Sequence, residues 1–194
     1  GSANPLRRNR LAGFAVLAAF IVCGLACTSH GQPTLKQAFE NDFLVGAALN
    51  LDQVTGADSA AGALAAKQFN SITPENLLKW ESVHPKPDQY NFEPADRYTA
   101  FGIKNGMFPI GHTLVWHSQT PRWVFEDGSG RPADRQTLLG RMRDHTLTVV
   151  GRYKGRIRGW DVVNEALEDD GTLRKSPWLK IIGEDYIQKA FEFA

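Results

Sequence analysis

Short apolar runs alternate with longer amphipathic stretches along the chain from residue 34 onward. Four of the apolar runs are predicted to form buried strands, at residues 43–49, 69–72, 108–116 and 157–163. Four amphipathic stretches are predicted to form helices, at residues 58–68, 94–105, 133–153 and 185–194. Because a helix between two strands carries the chain back to the end where it started, such strands pair in parallel. The alternation therefore predicts an α/β fold on a parallel sheet.

Apolar side chains mark the face of each predicted helix that is expected to pack against the sheet. They are Ala61, Leu64 and Ala65 in the first helix, and Leu138, Leu139, Met142, Leu147 and Val150 in the third. Gly106 follows the second helix and is expected to end it, because glycine tolerates the backbone of a helix C-terminus.

Two architectures use parallel strand–helix units, the open doubly wound sheet and the closed barrel. A dinucleotide-binding open sheet would carry a glycine-rich turn after its first strand, and the sequence has none there. The polar residues instead collect directly after strands, as Glu75 and Asn76, residues 116–119, and Asn164 and Glu165. Barrel enzymes hold their catalytic groups at such strand ends. We therefore expect residues 32–194 to form the first half of a (β/α)8 TIM barrel, supplying roughly strands 1–4.

The first 31 residues resemble an export signal preceded by a cloning scar. The scar is Gly1-Ser2, the positively charged segment holds Arg7, Arg8 and Arg10, and the uncharged apolar run is residues 11–26. This run is short for a membrane span, which needs about 20 residues, and it suits a cleaved signal peptide. A transmembrane anchor is an alternative, as is a lipoprotein attached through Cys27, although Gly24 stands where lipoprotein signals usually carry leucine. We expect a secreted or periplasmic protein with no membrane span.

The cysteine content and the charge exclude further classes of protein. Cys23 and Cys27 are the only cysteines and both lie in or beside this segment, so the folded part needs no disulfide. A formal net charge of +1 without a basic patch offers nothing to attract nucleic acid. The sequence indicates no cofactor.

Residues 160–167, WDVVNEAL, place two polar groups where the fourth strand is expected to end. A carboxyl group there would be partly desolvated, and burial raises the pKa of a carboxyl so that it keeps a proton near neutrality. A glycosidase requires such an acid to protonate the leaving oxygen. Glu165 is therefore a candidate general acid/base, and Asn164 is a candidate donor to a sugar hydroxyl. Alternatively, a strand-end glutamate only caps the next loop.

A second polar cluster follows the second strand. Glu75, Asn76 and Lys79 offer a carboxylate, an amide and an ammonium within five residues. Polyhydroxylated ligands are bound by dense sets of donors and acceptors of this kind, although a solvated turn has the same composition.

A third cluster lies at the end of the third strand, where His112, Trp116 and Gln119 could form the floor of a sugar subsite. His112, His117 and His145 together suggest metal binding as an alternative. Their spacing fits neither a strand nor a helix metal motif, and no cysteine or short acidic run joins them, so no metal site is predicted. His117 is expected to be a hydrogen-bonded residue of the core.

These segments together resemble glycoside hydrolase family 10, the family of β-1,4-xylanases. The motifs are TPEN..KW at 73–80, HP.PD.YNF at 84–92, GHTLVWHSQTP.W at 111–123 and WDVVNEAL at 160–167, in family order and spacing. The resemblance implies a (β/α)8 barrel that cleaves xylan or xylo-oligosaccharides with retention by double displacement. It implies that Glu165 is the acid/base, that the substrate-binding residues are Glu75, Asn76, Lys79, His112, Trp116, Gln119 and Asn164, and that Asp161 and His117 support them. Trp80 and Trp123 are interpreted as packing residues.

The family's nucleophile is a second glutamate on the seventh strand, which residues 32–194 do not reach. We therefore expect the 194-residue chain alone to be inactive, with the remaining half-barrel supplied as a separate fragment or chain or by a longer gene product. Two alternatives stay open: a β-1,4-glucanase of the same fold, and a non-catalytic carbohydrate-binding fragment.

Overall fold

The computed structural model describes Gly1 and residues 32–194. The chain divides into a unit of residues 1–32 and a unit of residues 33–194, and the fold is that of the second. The predicted signal peptide, with its arginines and both cysteines, lies outside the described residues. In the described part, no helix combines the length and the apolar character that crossing a membrane requires.

Four parallel strands form one sheet in which the spatial order follows the order along the chain. They are β1 (Gly46–Leu49), β2 (Ser71–Pro74), β3 (Phe108–Val115) and β4 (Gly159–Val163). Leu49 lies opposite Pro74, and His112 lies opposite Asp161. Among residues 32–194, the outer strands β1 and β4 each pair on one side only. The predicted parallel sheet is confirmed, and its order is that of the first half of a (β/α)8 barrel.

The first two strands begin later than the sequence predicts. The side chains of Phe43 and Leu44 are exposed rather than buried. The Asn70 side-chain oxygen accepts a hydrogen bond from the Val45 amide at 2.7 Å, so this amide is satisfied without a neighbouring strand. Pairing therefore starts at Gly46 and Ser71, three and two residues after the predicted starts at residues 43 and 69.

Helices connect the strands and cover the sheet. Within residues 32–194 they are α1 (Leu35–Ala38), α2 (Leu51–Thr55), α3 (Ser59–Gln68), α4 (Trp80–Val83), α5 (Glu93–Lys104), α6 (Arg135–Tyr153), α7 (Pro177–Ile182) and α8 (Tyr186–Phe193). The predicted helices correspond to α3, α5, α6 and α8, whereas the short helices α1, α2, α4 and α7 were not predicted. Asp58, Asp134 and Ser176 start α3, α6 and α7 by accepting a backbone hydrogen bond from the first turn.

Two apolar side chains were assigned to the wrong face of their helices. Leu64 is 57% exposed and Leu147 is 55% exposed. The buried face of α6 instead follows helical spacing through Leu138, Met142, His145, Val149 and Tyr153. Position relative to this stripe decides burial, so His145 is buried in α6 while Leu147, two residues further on, faces solvent.

An aromatic layer lies in the core beside α6. Its members are Trp80, Trp123 and Trp178 together with His84 and His145. The Trp80 and His145 rings stack with their centroids 3.7 Å apart. The packing role predicted for Trp80 and Trp123 is therefore what the structure shows.

The two histidines of this layer form a buried pair. Their Nδ1 atoms lie 3.1 Å apart, and His84 Nε2 lies 3.2 Å from the Pro87 carbonyl oxygen. A carbonyl oxygen can only accept, so His84 Nε2 carries its proton, and His145 Nδ1–H must donate to His84 Nδ1. Burial lowers the pKa of both histidines, for His145 well below its ordinary value, so the pair is neutral.

Candidate active site

Glu165 lies two residues beyond the end of β4, at the rim where the parallel strands end. Its backbone is left-handed, with φ 49°, a conformation that few residues other than glycine adopt. The side chain is half-exposed, at 50%, so the carboxyl group is partly shielded from water. One carboxylate oxygen accepts a hydrogen bond from Trp116 Nε1 at 3.0 Å. The structure therefore brings together the ends of β3 and β4 around this carboxylate.

Trp116 is fixed through its own backbone. Its carbonyl oxygen accepts from the buried Trp178 Nε1 at 2.9 Å and from Thr120 Oγ1 at 2.7 Å. Its ring lies under the Lys79 ammonium, which is 4.9 Å from the ring centroid, a distance typical of a cation–π contact. Trp116 thus joins Glu165 to the cluster that follows β2.

Lys79 and Asn76 of that cluster form a network with Gln119, which follows β3. Lys79 Nζ donates to Asn76 Oδ1 at 2.8 Å and to Gln119 Oε1 at 2.7 Å, and Gln119 Nε2 lies 3.4 Å from Asn76 Oδ1. Like Glu165, Gln119 has a left-handed backbone, with φ 47°. Its carbonyl oxygen accepts from the Glu81 amide at 2.9 Å, which ties it to the start of α4. The three side chains form a charge-assisted network open to a polar ligand.

His112 and Asp161 form a pair across β3 and β4. His112 Nδ1 lies 3.0 Å from Asp161 Oδ2, and the exposed fractions of the two side chains are 19% and 50%. A carboxylate fixes the proton on the nitrogen that it faces, so Nδ1 is the donor in this pair. The other nitrogen, Nε2, remains for a ligand. Asp161 therefore orients the His112 ring.

The remaining predicted residues lie at the same rim with fewer contacts. The Glu75 amide donates to the Leu49 carbonyl at 2.9 Å, and the Asn164 amide donates to the Val115 carbonyl at 2.9 Å. The Glu75 side chain is exposed and the Asn164 side chain is half-buried. Each amide adds one more hydrogen bond to the sheet, so Glu75 and Asn164 lie at the rim, directly after their strands.

The core role expected for His117 is wrong. His117 Nε2 lies 3.8 Å from the Glu165 carboxylate, a distance that permits an ion pair but is too long for a hydrogen bond. The side chain is 26% exposed and its ring meets Trp116 edge-on. The sequence position after the strand, rather than within it, explains this placement at the site.

His145, considered as a metal ligand with His112 and His117, is fully buried and pairs with His84 instead. Among the residues described here, no three histidine, cysteine, aspartate or glutamate side chains lie close enough to share a metal ion.

Two residues near the site were missed. Trp178 anchors Trp116, and Arg174 donates to the carbonyl oxygen of Glu165 at 2.9 Å. Trp178 lies 62 residues from its partner in sequence. Its contact depends on tertiary structure alone, and no local pattern could have indicated it.

A half-barrel sheet whose strand ends carry a carboxyl group, a tryptophan and a network of amide and ammonium groups is characteristic of (β/α)8-barrel glycoside hydrolases. Residues 34–194 match the model of glycosyl hydrolase family 10, and the chain belongs to this family.

Similar proteins support the same assignment. Endo-1,4-β-xylanase B of Paenibacillus barcinonensis is 46% identical over 164 residues, which is 84% of this chain and 48% of that protein. A GH10 endoxylanase retrieved from sugarcane soil metagenome has a TM-score of 0.80 and 48% identity, and covers 82% of this chain and 47% of that one. The intracellular xylanase TsXylA of Thermoanaerobacterium saccharolyticum, solved as a mutant with xylotetraose, has a TM-score of 0.80 and 44% identity over 84% of this chain and 52% of that one. The chain thus spans about half the length of these relatives.

Proposed function

We propose that the intact protein is a retaining endo-1,4-β-xylanase in which Glu165 is the general acid/base. The observation that carries this proposal is the contact of the Glu165 carboxylate with Trp116, 3.0 Å from its indole nitrogen, beside the Lys79 network. A carboxyl group at a strand end next to a dense set of sugar-binding groups has the components that glycoside cleavage requires. The names of the relatives and the xylotetraose bound to one of them support xylan as the substrate class.

In the first step, protonated Glu165 donates its proton to the oxygen of the glycosidic bond. The bond between C1 and this oxygen breaks, and a second carboxylate attacks C1 to form a covalent glycosyl ester. The leaving sugar departs with the new hydroxyl group, and Glu165 becomes a carboxylate.

In the second step, the Glu165 carboxylate takes a proton from water, whose oxygen attacks C1. The ester bond breaks, the nucleophile is released as a carboxylate, and the sugar leaves with its original anomeric configuration. A retaining enzyme needs its two carboxyl groups about 5 to 5.5 Å apart. We assign the nucleophile to a strand other than the four described here.

The other site residues bind the substrate on either side of the cleaved bond. Lys79 and Asn76 offer an ammonium and an amide to the sugar hydroxyls of the glycone, and Gln119 offers an amide in the subsites nearest the cleaved bond. His112 offers Nε2, because Asp161 occupies its Nδ1. Glu75 and Asn164 extend the donor and acceptor set at the same rim, and His117 supports the Glu165 carboxylate.

The test is hydrolysis of xylan by the intact protein and by its Glu165→Ala variant. Loss of a general acid is expected to reduce turnover of xylan by about 100-fold or more, with a much smaller effect on kcat/KM for an aryl xylobioside whose leaving group needs no proton. With the aryl xylobioside, azide should restore the turnover that the variant loses in the second step and produce a β-glycosyl azide, because azide replaces water without needing a base. Normal xylan hydrolysis by Glu165→Ala would refute the proposal.

Substrate preference requires a separate measurement. Xylose lacks the hydroxymethyl group of glucose, so a site shaped for xylan excludes glucan by steric contact. Rates on matched aryl xylobiosides and aryl cellobiosides distinguish the xylanase from a β-1,4-glucanase.

The residues of this chain alone are proposed to be inactive, because the second carboxylate is absent from them. Activity of the purified 194-residue chain, with its mass confirmed, would contradict this. Activity that appears only when the second half-barrel is added would support completion of the barrel by a separate fragment.

We also propose that residues 1–31 direct export and that the mature protein is secreted or periplasmic. The charged segment, the short apolar run and the small residues that follow support this. The mass of the protein recovered outside the cytoplasm identifies the cleavage position, and a lipid on Cys27 would identify a lipoprotein instead.

A further inference from the structure

The backbone of Glu165 is held in an unfavourable conformation by the loop that follows it. Its φ of 49° lies in the left-handed region, where a side chain is crowded by its own backbone. Such conformations persist where surrounding contacts determine them, and they cluster at functional sites.

A hairpin after β4 supplies those contacts. Leu167 and Leu173 form an antiparallel bridge, and the Arg174 amide donates to the Ala166 carbonyl at 2.8 Å. Gly171, with φ 83°, makes the turn at the tip. The hairpin brings Arg174 back beside Glu165, although nine residues separate them in sequence.

The Arg174 side chain makes three contacts within this loop. Its Nε donates to the Glu165 carbonyl at 2.9 Å, its Nη2 donates to the Leu167 carbonyl at 3.0 Å, and its Nη1 lies 3.2 Å from a Glu168 carboxylate oxygen. A planar guanidinium has several donors in a fixed arrangement, so it can hold two carbonyl oxygens in one relative orientation. The Arg174 side chain is only 29% exposed, so these bonds are partly shielded from competing water.

We propose that Arg174 is a positioning residue for the general acid/base. By binding the carbonyl oxygens of Glu165 and Leu167, it fixes the left-handed backbone that directs the Glu165 carboxyl to Trp116 and the leaving oxygen. This inference rests on the proposed function of Glu165. Arg174 itself contacts the backbone carbonyl of Glu165 and not its carboxyl group.

If Arg174 only stabilised the fold, replacing it would slow the cleavage of all substrates alike. If Arg174 positions the acid, the loss depends on how much the leaving group needs a proton. Protonation of the leaving group matters for xylan, whose leaving sugar is a poor leaving group, and matters little for a dinitrophenyl xylobioside. The value of kcat/KM for each substrate reports the first step, in which this proton is transferred. The ratio of the two values therefore isolates the placement of the acid.

The experiment compares Arg174→Met with wild type in the intact protein. Arg174→Met keeps the apolar stem and removes every donor. We expect kcat/KM on xylan to fall about 10- to 100-fold, since small displacements of a catalytic group have effects of this size. With dinitrophenyl xylobioside we expect a change of less than about 3-fold. Arg174→Lys, which can reach one carbonyl oxygen, should give an intermediate loss on xylan.

Two control variants separate the effect of losing the carbonyl contacts from the effect of losing an arginine charge or ion pair. Glu168→Gln removes the ion pair and leaves both carbonyl bonds, so its kcat/KM on both substrates should stay within about 2-fold of wild type. Arg122→Met removes an exposed arginine that pairs with Glu126 outside the site, and it should have equally little effect.

Equal losses on the two substrates would overturn the inference, as would an unchanged xylan rate in Arg174→Met. If Arg174→Met does not fold, the same ratio is read from Arg174→Lys, and equal losses there overturn it too. A wild-type protein without xylanase activity would instead refute the proposed function, and this inference with it.

Discussion

Tryptophan and histidine side chains occupy two regions of this molecule with opposite surroundings. At the rim, Trp116, His112 and His117 are partly exposed and make polar contacts with carboxylates. In the aromatic layer, Trp80 and His145 are buried and stack against each other. The residue types are the same, so their chemistry does not decide their role. Their position does: the rim residues lie on or directly after a strand, whereas His145 lies on the buried stripe of α6.

The largest expected difference between the rim and the aromatic layer is in their contribution to stability. Trp80→Ala removes a large buried ring and should lower the free energy of unfolding by about 3–5 kcal/mol. Trp116→Ala removes a ring at the exposed rim and should cost less than half as much. Chemical denaturation of the intact protein measures both, and equal losses would show that the rim tryptophan is also a packing residue.

The next largest expected difference between the two regions is in their contribution to catalysis. Trp116→Phe keeps an aromatic ring and removes the donor to the Glu165 carboxylate, a hydrogen bond to a charged group worth about 1.5–3 kcal/mol. We expect kcat/KM on xylan to fall about 10- to 100-fold with little change in unfolding free energy. Trp123→Phe, in the aromatic layer, is the matched variant and should leave kcat/KM nearly unchanged. A similar loss of activity in both would remove the distinction between the regions.

Acid should destabilise the aromatic layer. The pKa values of His84 and His145 are lowered by burial, so both histidines are neutral in the folded protein. Above about pH 6.5 the unfolded chain is neutral at these positions as well, and the pair has no pH-dependent effect. As the pH falls below this value, the unfolded chain binds protons that the folded pair does not. The free energy of unfolding then decreases by up to about 1.4 kcal/mol per pH unit for the fully buried His145.

Unfolding curves measured between about pH 7.5 and 5 test this prediction. The slope against pH should be smaller in His145→Gln than in wild type, because the buried titratable group is gone. A wild-type slope in His145→Gln would show that other groups cause the acid sensitivity.

The smallest expected effect is that of a substitution on the solvent-exposed face of α6, the helix that carries His145. Leu147→Gln changes an exposed leucine two residues from His145, and the unfolding free energy should change by no more than about 0.5 kcal/mol. A loss as large as that of Trp80→Ala would show that Leu147 is covered by a part of the protein outside residues 32–194.

The sequence predicted the parallel sheet and the residues at its strand ends, because strand–helix alternation and local motifs carry that information. It placed Glu165, Trp116 and the Lys79 cluster at one rim, where the structure also has them. It misjudged Leu147, because hydrophobicity was weighed above helical position. It also misjudged His117, whose position directly after β3 places it at the rim rather than in the core. The left-handed backbone of Glu165 and the contacts of Arg174 and Trp178 arise only when distant segments meet, and no local pattern encodes them.

Lys79 and Trp80 are neighbours in the chain, yet the first belongs to the rim network and the second to the aromatic layer. One peptide unit joins the two residues, so a displacement of the backbone at either one moves both. A bound sugar that immobilises the Lys79 ammonium should therefore slow hydrogen exchange at the amides of α4. Conversely, a backbone displacement at Trp80 would disturb the contacts of the ammonium with Asn76 and Gln119, which couples sugar binding at the rim to opening of the aromatic layer.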